Sequence, residues 1–269
     1  MTSDTSISES DHPRELNDDE PPEDTIPREE MTLIEHLLEL RTRVMWSAIA
    51  ITISTGALLI PTIGFEFIEL MLGPARAHDP EWTPQSLGPL DRIVTLFKVA
   101  LLGGIALAMP ILIYQTMRFV SPALTKKEKR WVLPIVIGGS IAFLGGLAFA
   151  YFVVLPLSLV FLLSFGDSWA RDDWQVSLYI DFVTRMMLIL GIAFETPLIV
   201  MGMAKLGVVT SRKLLGWWRW AILGAFLGSA IVTPTIDPVT QSLVAGPVIV
   251  LYFVGVGLAW LVRGKDSSP

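Results

Sequence analysis

Polar residues along this chain are gathered into short segments, and between them run six apolar stretches at 44–63, 96–117, 131–156, 182–208, 214–232 and 242–262. A helix needs about 20 apolar residues to cross roughly 30 Å of hydrocarbon, so each stretch reads as a membrane span. Just before the first lies MTLIEHLLELRTRV, residues 31–44. At 100° per residue Leu33, Leu37, Leu40 and Val44 share one narrow face, and Glu35, His36, Glu39, Thr42 and Arg43 fall opposite. This predicts an amphipathic helix that ends where the membrane begins and turns its two carboxylates toward water. Whatever the protein recognises is expected to meet that polar face.

The interruptions refine the pattern. Between the first two spans, residues 66–92 carry Pro74, Pro80, Pro84 and Pro89, too long and broken for a plain hairpin, and read either as a folded outer cap or as a spacer. The third run continues past Pro156 to Phe165, which predicts a kink or an exit from the bilayer near that proline. Within it Gly138, Ala142, Gly146 and Ala150 form a small-residue stripe suited to close helix contact. The fifth run carries Gly224 and Gly228 in a GxxxG spacing that suits a neighbouring helix of this chain or of a partner. The turn between the fifth and sixth runs is very short, TPTIDPVTQ, and Gly246 and Pro247 interrupt the sixth. Spans five and six are therefore expected to be short, with local membrane thinning as one accommodation.

Composition agrees with the class: 52% of the 269 residues are hydrophobic and 17% charged, with mean hydropathy +0.58, against about 25% charged in soluble domains. The net charge of −6 hides two parts, since residues 1–30 hold eleven acids against Arg14 and Arg28 and so carry −9, leaving +3 on the rest. That acidic, Pro- and Ser-containing tail is expected to be disordered, and it lacks the basic start and apolar core of a cleavable signal peptide. Fifteen of the 20 Lys and Arg fall on the side of the N-terminus, the second loop, the fourth loop and the tail after 262; Arg76, Arg92, Lys98, Arg171 and Arg185 fall on the other. The positive-inside rule then places both termini in the cytoplasm. The division is an acidic cytoplasmic tail at 1–30, a six-span all-helical membrane domain at 31–262 and a cytoplasmic tail at 263–269.

Several chemistries drop out. There is no cysteine, and the three histidines, His12, His36 and His78, lie outside the apolar runs, too few for a buried zinc site. No GxxxxGK loop supports ATP hydrolysis, no GxSxG elbow a serine hydrolase, and a single deep acid excludes a paired-aspartate protease. No enzyme, cofactor or nucleic-acid partner is expected.

That deep acid is Glu195, in GIAFETP, where an ionised side chain costs about 2.5 to 3.5 kcal/mol on insertion scales. It is either a protonated or hydrogen-bonded structural residue, or it faces a wet cavity or a polar group on a passing segment, and Pro197 should loosen the helix beside it. Thr233, Asp237 and Gln241 share the outer turn, where capping explains such residues. Glu128 stands alone among five cationic residues in the second loop and would suit a helix N-terminus. Glu39 has an i,i+4 partner in Arg43, a pairing worth about 0.2 to 0.5 kcal/mol.

Taken together, HLLELRTR before span one, FVSPAL before span three, FETP in span four and TPTIDPVTQ between spans five and six occur in an order that closely resembles TatC, a subunit of the twin-arginine protein translocase. The resemblance covers residues 31–262. It implies a receptor in the cytoplasmic membrane for twin-arginine signal peptides on cargo exported already folded, driven by the proton-motive force. On the matching motif positions it implies that Glu39 and Glu128 bind the arginine pair, with Arg41, Arg43, Phe119, Pro122 and Leu124 shaping that surface. It makes Glu195, Thr233 and Gln241 candidates for positioning single-span TatA and TatB partners in a homo-oligomeric complex, and Pro74 and Asp237 candidates for outer-loop roles. The chemistry fits, because a guanidinium offers a carboxylate a planar fork of donors that an ammonium cannot. Two departures stand out. Leu251, Tyr252 and Phe253 replace an LYE sequence frequent in the family, and Asp91 is a weak counterpart of an outer-loop Glu.

A different class remains open on the residues alone: a small-solute secondary transporter using Glu195 as an ion or proton site, although no matched pair of broken helices supports it. An intramembrane hydrolase would lack both nucleophile and base.

Overall fold

The computed structural model describes residues 33–78, 80, 82–120, 129–164, 174–233 and 237–263. These are almost wholly helical: α1 (Leu33–Leu58), α2 (Pro61–His78), α3 (Asp91–Val120), α4 (Val132–Phe149), a π turn (Ala150–Val154), α5 (Leu155–Ser164), α6 (Val176–Ala193), α7 (Thr196–Lys205), α8 (Ser211–Gly216), α9 (Trp218–Val232) and α10 (Pro238–Arg263). Four stretches are each long and apolar enough to cross a bilayer, Asp91–Val120, Val132–Leu162, Val176–Lys205 and Pro238–Val262, while α1 and α2 meet at a 91° bend. The six apolar runs thus fall on helix in the expected order, and the molecule is an all-helical polytopic membrane protein. The acidic tail at 1–30 and residues 264–269 lie outside the described residues.

Three expectations are corrected. The amphipathic segment does not end at Val44 but is the first three turns of the continuous helix α1, since nothing in HLLELRTRV breaks it and its hydrogen bonds run on into the apolar part. The first run stops at Leu58 rather than 63, because Pro61 opens α2 at the first helical position, where its missing N–H is no loss. The sixth run is not short: α10 passes through Gly246 and Pro247 for 26 residues, about 39 Å at 1.5 Å per residue. One absent N–H does not unwind a helix whose surroundings offer its backbone no other partner. The fifth run does give a short helix, since α9 has 15 residues and is about 22 Å long.

Close backbone approaches hold the bundle together. On α3, a Cβ at Gly104 would lie 2.8 Å from the Thr55 backbone nitrogen and closer still to the Thr55 hydroxyl, so only a glycine there lets α1 pack this tightly. At Gly146 a Cβ would lie 2.6 Å from the Leu190 carbonyl oxygen, so α4 and α6 touch backbone to backbone. The buried stripe of α4 and its continuation is Gly139, Phe143, Gly146, Ala150 and Val154 rather than the expected four-residue repeat. The run stays helical past Pro156, to Ser164. The π turn just before the proline accommodates its missing donor, with the Leu155 N–H reaching back to the Ala150 carbonyl.

The segment after the first span is a folded cap. Met71, Leu72 and Ala75 of α2 are buried beneath it, and Pro74 sits with them. A short parallel bridge joins Gln85 to Gln175, with the Gln85 N–H donating to the Trp174 carbonyl at 3.0 Å and the Val176 N–H to the Gln85 carbonyl at 2.9 Å. Asp91 collects three donors on one oxygen, the Leu87 and Gly88 amides and the Gln175 side-chain amide, and so pins the cap to the starts of α3 and α6.

Candidate functional site

The N-terminal turns of α1 are built inside out. Leu37 and Val44 are 64% and 57% exposed, whereas Glu39 and Arg43 keep only 16% and 22% of their side chains accessible. An apolar outer face suits lipid, and the inward face is therefore free to be polar. That face presents His36, Glu39 and Arg43 at intervals of three and four, which puts them on one side of the helix. It packs on α3, where the His36 ring stacks on Phe119 with centroids 4.3 Å apart. The expectation that the carboxylates look toward open water is corrected for Glu39, which turns into the α1–α3 interface.

There the Arg43 guanidinium donates to Glu39 Oε1 at 2.9 Å. The other carboxylate oxygen, Oε2, is buried with no hydrogen-bond partner, as are Arg43 Nε and Gln115 Oε1. The pair is thus one-pronged, leaving acceptor capacity on the acid and donor capacity on the base. Arg41 is exposed on the opposite side of α1. Of the remaining residues expected here, Glu128, Pro122 and Leu124 lie outside the described residues. Sequence reasoning missed Gln115 and gave His36 no role of its own. His36 could have been found from its spacing to Glu39 and Arg43, and Gln115 from its place one turn before Phe119.

Glu195 occupies the join between α6 and α7, where Pro197 cannot donate to the Ala193 carbonyl and the chain tightens for a turn. It is 8% exposed, and its Oε1 has no hydrogen-bond partner. Gly139 makes room for it, since a Cβ there would lie 3.0 Å from Glu195 Oε2 and 2.7 Å from Ile113 Cδ1. The antiparallel register of α1 on α3, with His36 at Phe119 and Thr55 at Gly104, puts Glu39 level with about residue 116. Glu195, at the level of Ile113, is therefore within about one helical turn of Glu39 in depth, beside the same helix α3.

Thr233 and Gln241 are elsewhere. Gly255 of α10 meets Pro197, and Gln241 lies 14 residues earlier on that helix, about 21 Å away along the axis. The three do not form one polar cluster. Thr233 donates through Oγ1 to the Ser229 carbonyl at 2.9 Å, and the Gln241 amide donates to the Phe226 carbonyl at 2.8 Å, so both complete the carbonyl end of α9. Asp237 caps α10 by accepting the Thr240 N–H at 2.5 Å. Around α9 itself, a Cβ added at Gly224 or Gly228 would meet nothing within 4 Å, so their GxxxG groove is open. Pro74 leaves the Leu70 carbonyl without its helical donor, and the Tyr151 hydroxyl supplies one at 2.8 Å. Phe253 is 40% exposed on α10.

Comparison with known proteins adds the following. A family model described as "Sec-independent protein translocase protein (TatC)" matches residues 35–247. The Sec-independent protein translocase protein TatC of Synechocystis is 38% identical over 245 residues, covering 91% of this chain and 92% of its own. TatC of Aquifex aeolicus is 37% identical over 244 residues, covering 88% of this chain and 98% of its own. A crystal structure titled as the twin arginine translocase receptor TatC superposes with a TM-score of 0.77 at 36% identity, covering 85% of this chain and all of that one.

Proposed function

Because the chain belongs to the TatC family of Sec-independent protein translocase proteins, we propose that it serves as the receptor subunit for signal peptides bearing an arginine pair. It is a component of the twin-arginine translocase, a transport machine, and the small-solute transporter reading gains nothing from its relatives. The observation that carries the receptor reading is Glu39 itself: an inward-facing carboxylate with one oxygen on Arg43 and the other buried and unpartnered. Such a group gains from an incoming guanidinium, which can take the idle oxygen or replace Arg43 in a two-pronged pair.

In this reading Glu128 provides the second carboxylate from the loop between α3 and α4. Phe119, Pro122 and Leu124 form the adjoining surface, and Arg41 and Arg43 balance its charge. The signal's apolar part follows toward Glu195, whose depth beside α3 nearly matches that of Glu39. The short helix α9 and the start of α10, closed by Thr233 and Gln241, present the open Gly224–Gly228 groove to single-span TatA- and TatB-like partners, while Pro74 and Asp237 hold the outer turns in place. The domain at 31–262 crosses the cytoplasmic membrane six times, with α1 and α9 adding the first and fifth crossings to the four long apolar stretches, and the tails at 1–30 and 263–269 in the cytoplasm. No catalytic step is needed, and the proton-motive force supplies the work.

The test replaces Glu39 and Glu128 together by Gln. The inserted double variant should no longer bind an arginine-pair signal peptide, whereas unchanged affinity would refute the assignment.

A further inference from the structure

A second site lies on the same end of the bundle but on another face of α3. Pro110, Ile111 and Tyr114 of α3, with Leu133 and Val136 of α4, line an apolar cleft of about 520 Å³ whose mouth carries Lys129 and Arg130. Tyr114 is about 140° round α3 from Phe119, so the cleft does not open onto the α1 face. Its mouth is cationic beyond the two lining residues, because Arg118 donates to the Tyr114 hydroxyl at 3.2 Å and stands over its ring. Among the described residues no carboxylate is paired with Lys129 or Arg130. The depth is set by Trp131, an amphipathic ring of the kind that marks the headgroup level, with Lys205 Nζ 4.0 Å from its centroid and Arg130 at 5.9 Å.

We propose that this cleft binds an acidic phospholipid of the cytoplasmic leaflet, with its phosphodiester between Lys129 and Arg130 and one acyl chain along Pro110, Ile111 and Leu133. Charge and shape choose the occupant together. A cationic rim at headgroup depth, with no carboxylate paired to it among the described residues, attracts an anionic headgroup, and the floor below is apolar. An arginine-bearing peptide would be repelled, which separates this site from the one at Glu39. The lipid bridges the end of α3 and the start of α4.

The experiment uses the full chain, delipidated in a nonionic detergent and titrated with dioleoylphosphatidylglycerol, dioleoylphosphatidylcholine or soluble glycerol 1-phosphate, with bound ligand counted by native mass spectrometry. Phosphatidylglycerol should be retained, phosphatidylcholine far less, and glycerol phosphate not at all, because it lacks the chain. Removing both cations in Lys129→Gln/Arg130→Gln should weaken phosphatidylglycerol binding about 30-fold, while Arg219→Gln, an exposed cation elsewhere, should leave it unchanged. Ile111→Trp, which fills the floor and keeps both cations, should also lose the lipid and carries the test if the charge variant does not insert. Equal retention of the two lipids, or retention by either cleft variant at wild-type affinity, overturns the proposal. Glycerol phosphate binding as tightly as the lipid would make the site a simple anion site and overturn it as well.

Discussion

Glu39 does two jobs with one carboxylate, since Oε1 holds Arg43 on its own helix while Oε2 faces the interface without a donor. The pairing was legible in the i,i+4 spacing, but its direction was not. A helical wheel assigns the apolar side to the core, whereas in a membrane domain the apolar side meets lipid and the polar side turns in. Glu39→Gln should therefore lower affinity for an arginine-pair peptide about 10- to 100-fold and barely alter the weaker binding of a lysine-pair peptide, measured by fluorescence anisotropy in nanodiscs. Glu195 was legible too, as the lone acid deep in an apolar run, yet the residue that makes its place was not. The sequence stripe pointed to Gly138, whereas Gly139 faces the carboxylate. Gly139→Leu should drive side-chain atoms into Glu195 and Ile113 and destabilise the protein by about 1 to 3 kcal/mol, and Gly138→Leu, with open space around it, should be near neutral in thermal unfolding.

At the level of whole elements, prolines decided most of the differences between expectation and structure. The string of prolines at 74–89 made the first outer segment look broken, yet α2 runs through Pro74, because partners from other helices replace what the proline removes. Tyr151 fills the Leu70 carbonyl, and Tyr179 adds a bond to the Met71 carbonyl at 3.0 Å. Such long-range compensation, across 81 and 108 residues, leaves no periodic trace in a sequence. It does make a measurable coupling. Tyr151→Phe should cost about 0.5 to 1.5 kcal/mol by orphaning the Leu70 carbonyl, and in a Pro74→Ala background, where the helix regains its own donor, that loss should shrink toward zero. A denaturation cycle over the four variants checks it, and equal losses in both backgrounds would mean that Tyr151 acts by packing alone. The π turn before Pro156 belongs to the same class: the proline predicted a disturbance, but whether it becomes a kink, an exit or a bulge depends on contacts with α6 and α2.

Across the whole molecule, charge separates more sharply than the residue counts suggest. Of the five cations assigned to the outer side, Lys98 is bonded to Asp181 at 2.8 Å and Arg76 to Glu69, so two are locally neutralised. At the other end Lys129 and Arg130 stand exposed without carboxylate partners among the described residues, and Arg219 stands over Trp218. The orientation read from sequence rests on where the Lys and Arg residues fall, and it is open to direct test. The absence of cysteine gives a clean background for testing it. A single thiol at Ser86, in the outer cap, should react with a membrane-impermeant maleimide in intact cells, whereas one at Ser6 or Ser267 should react only after the membrane is opened. Labelling of Ser267→Cys from outside would put the C-terminus on the wrong face, imply an odd number of crossings, and force either α9 or the α1–α2 pair to turn back without spanning.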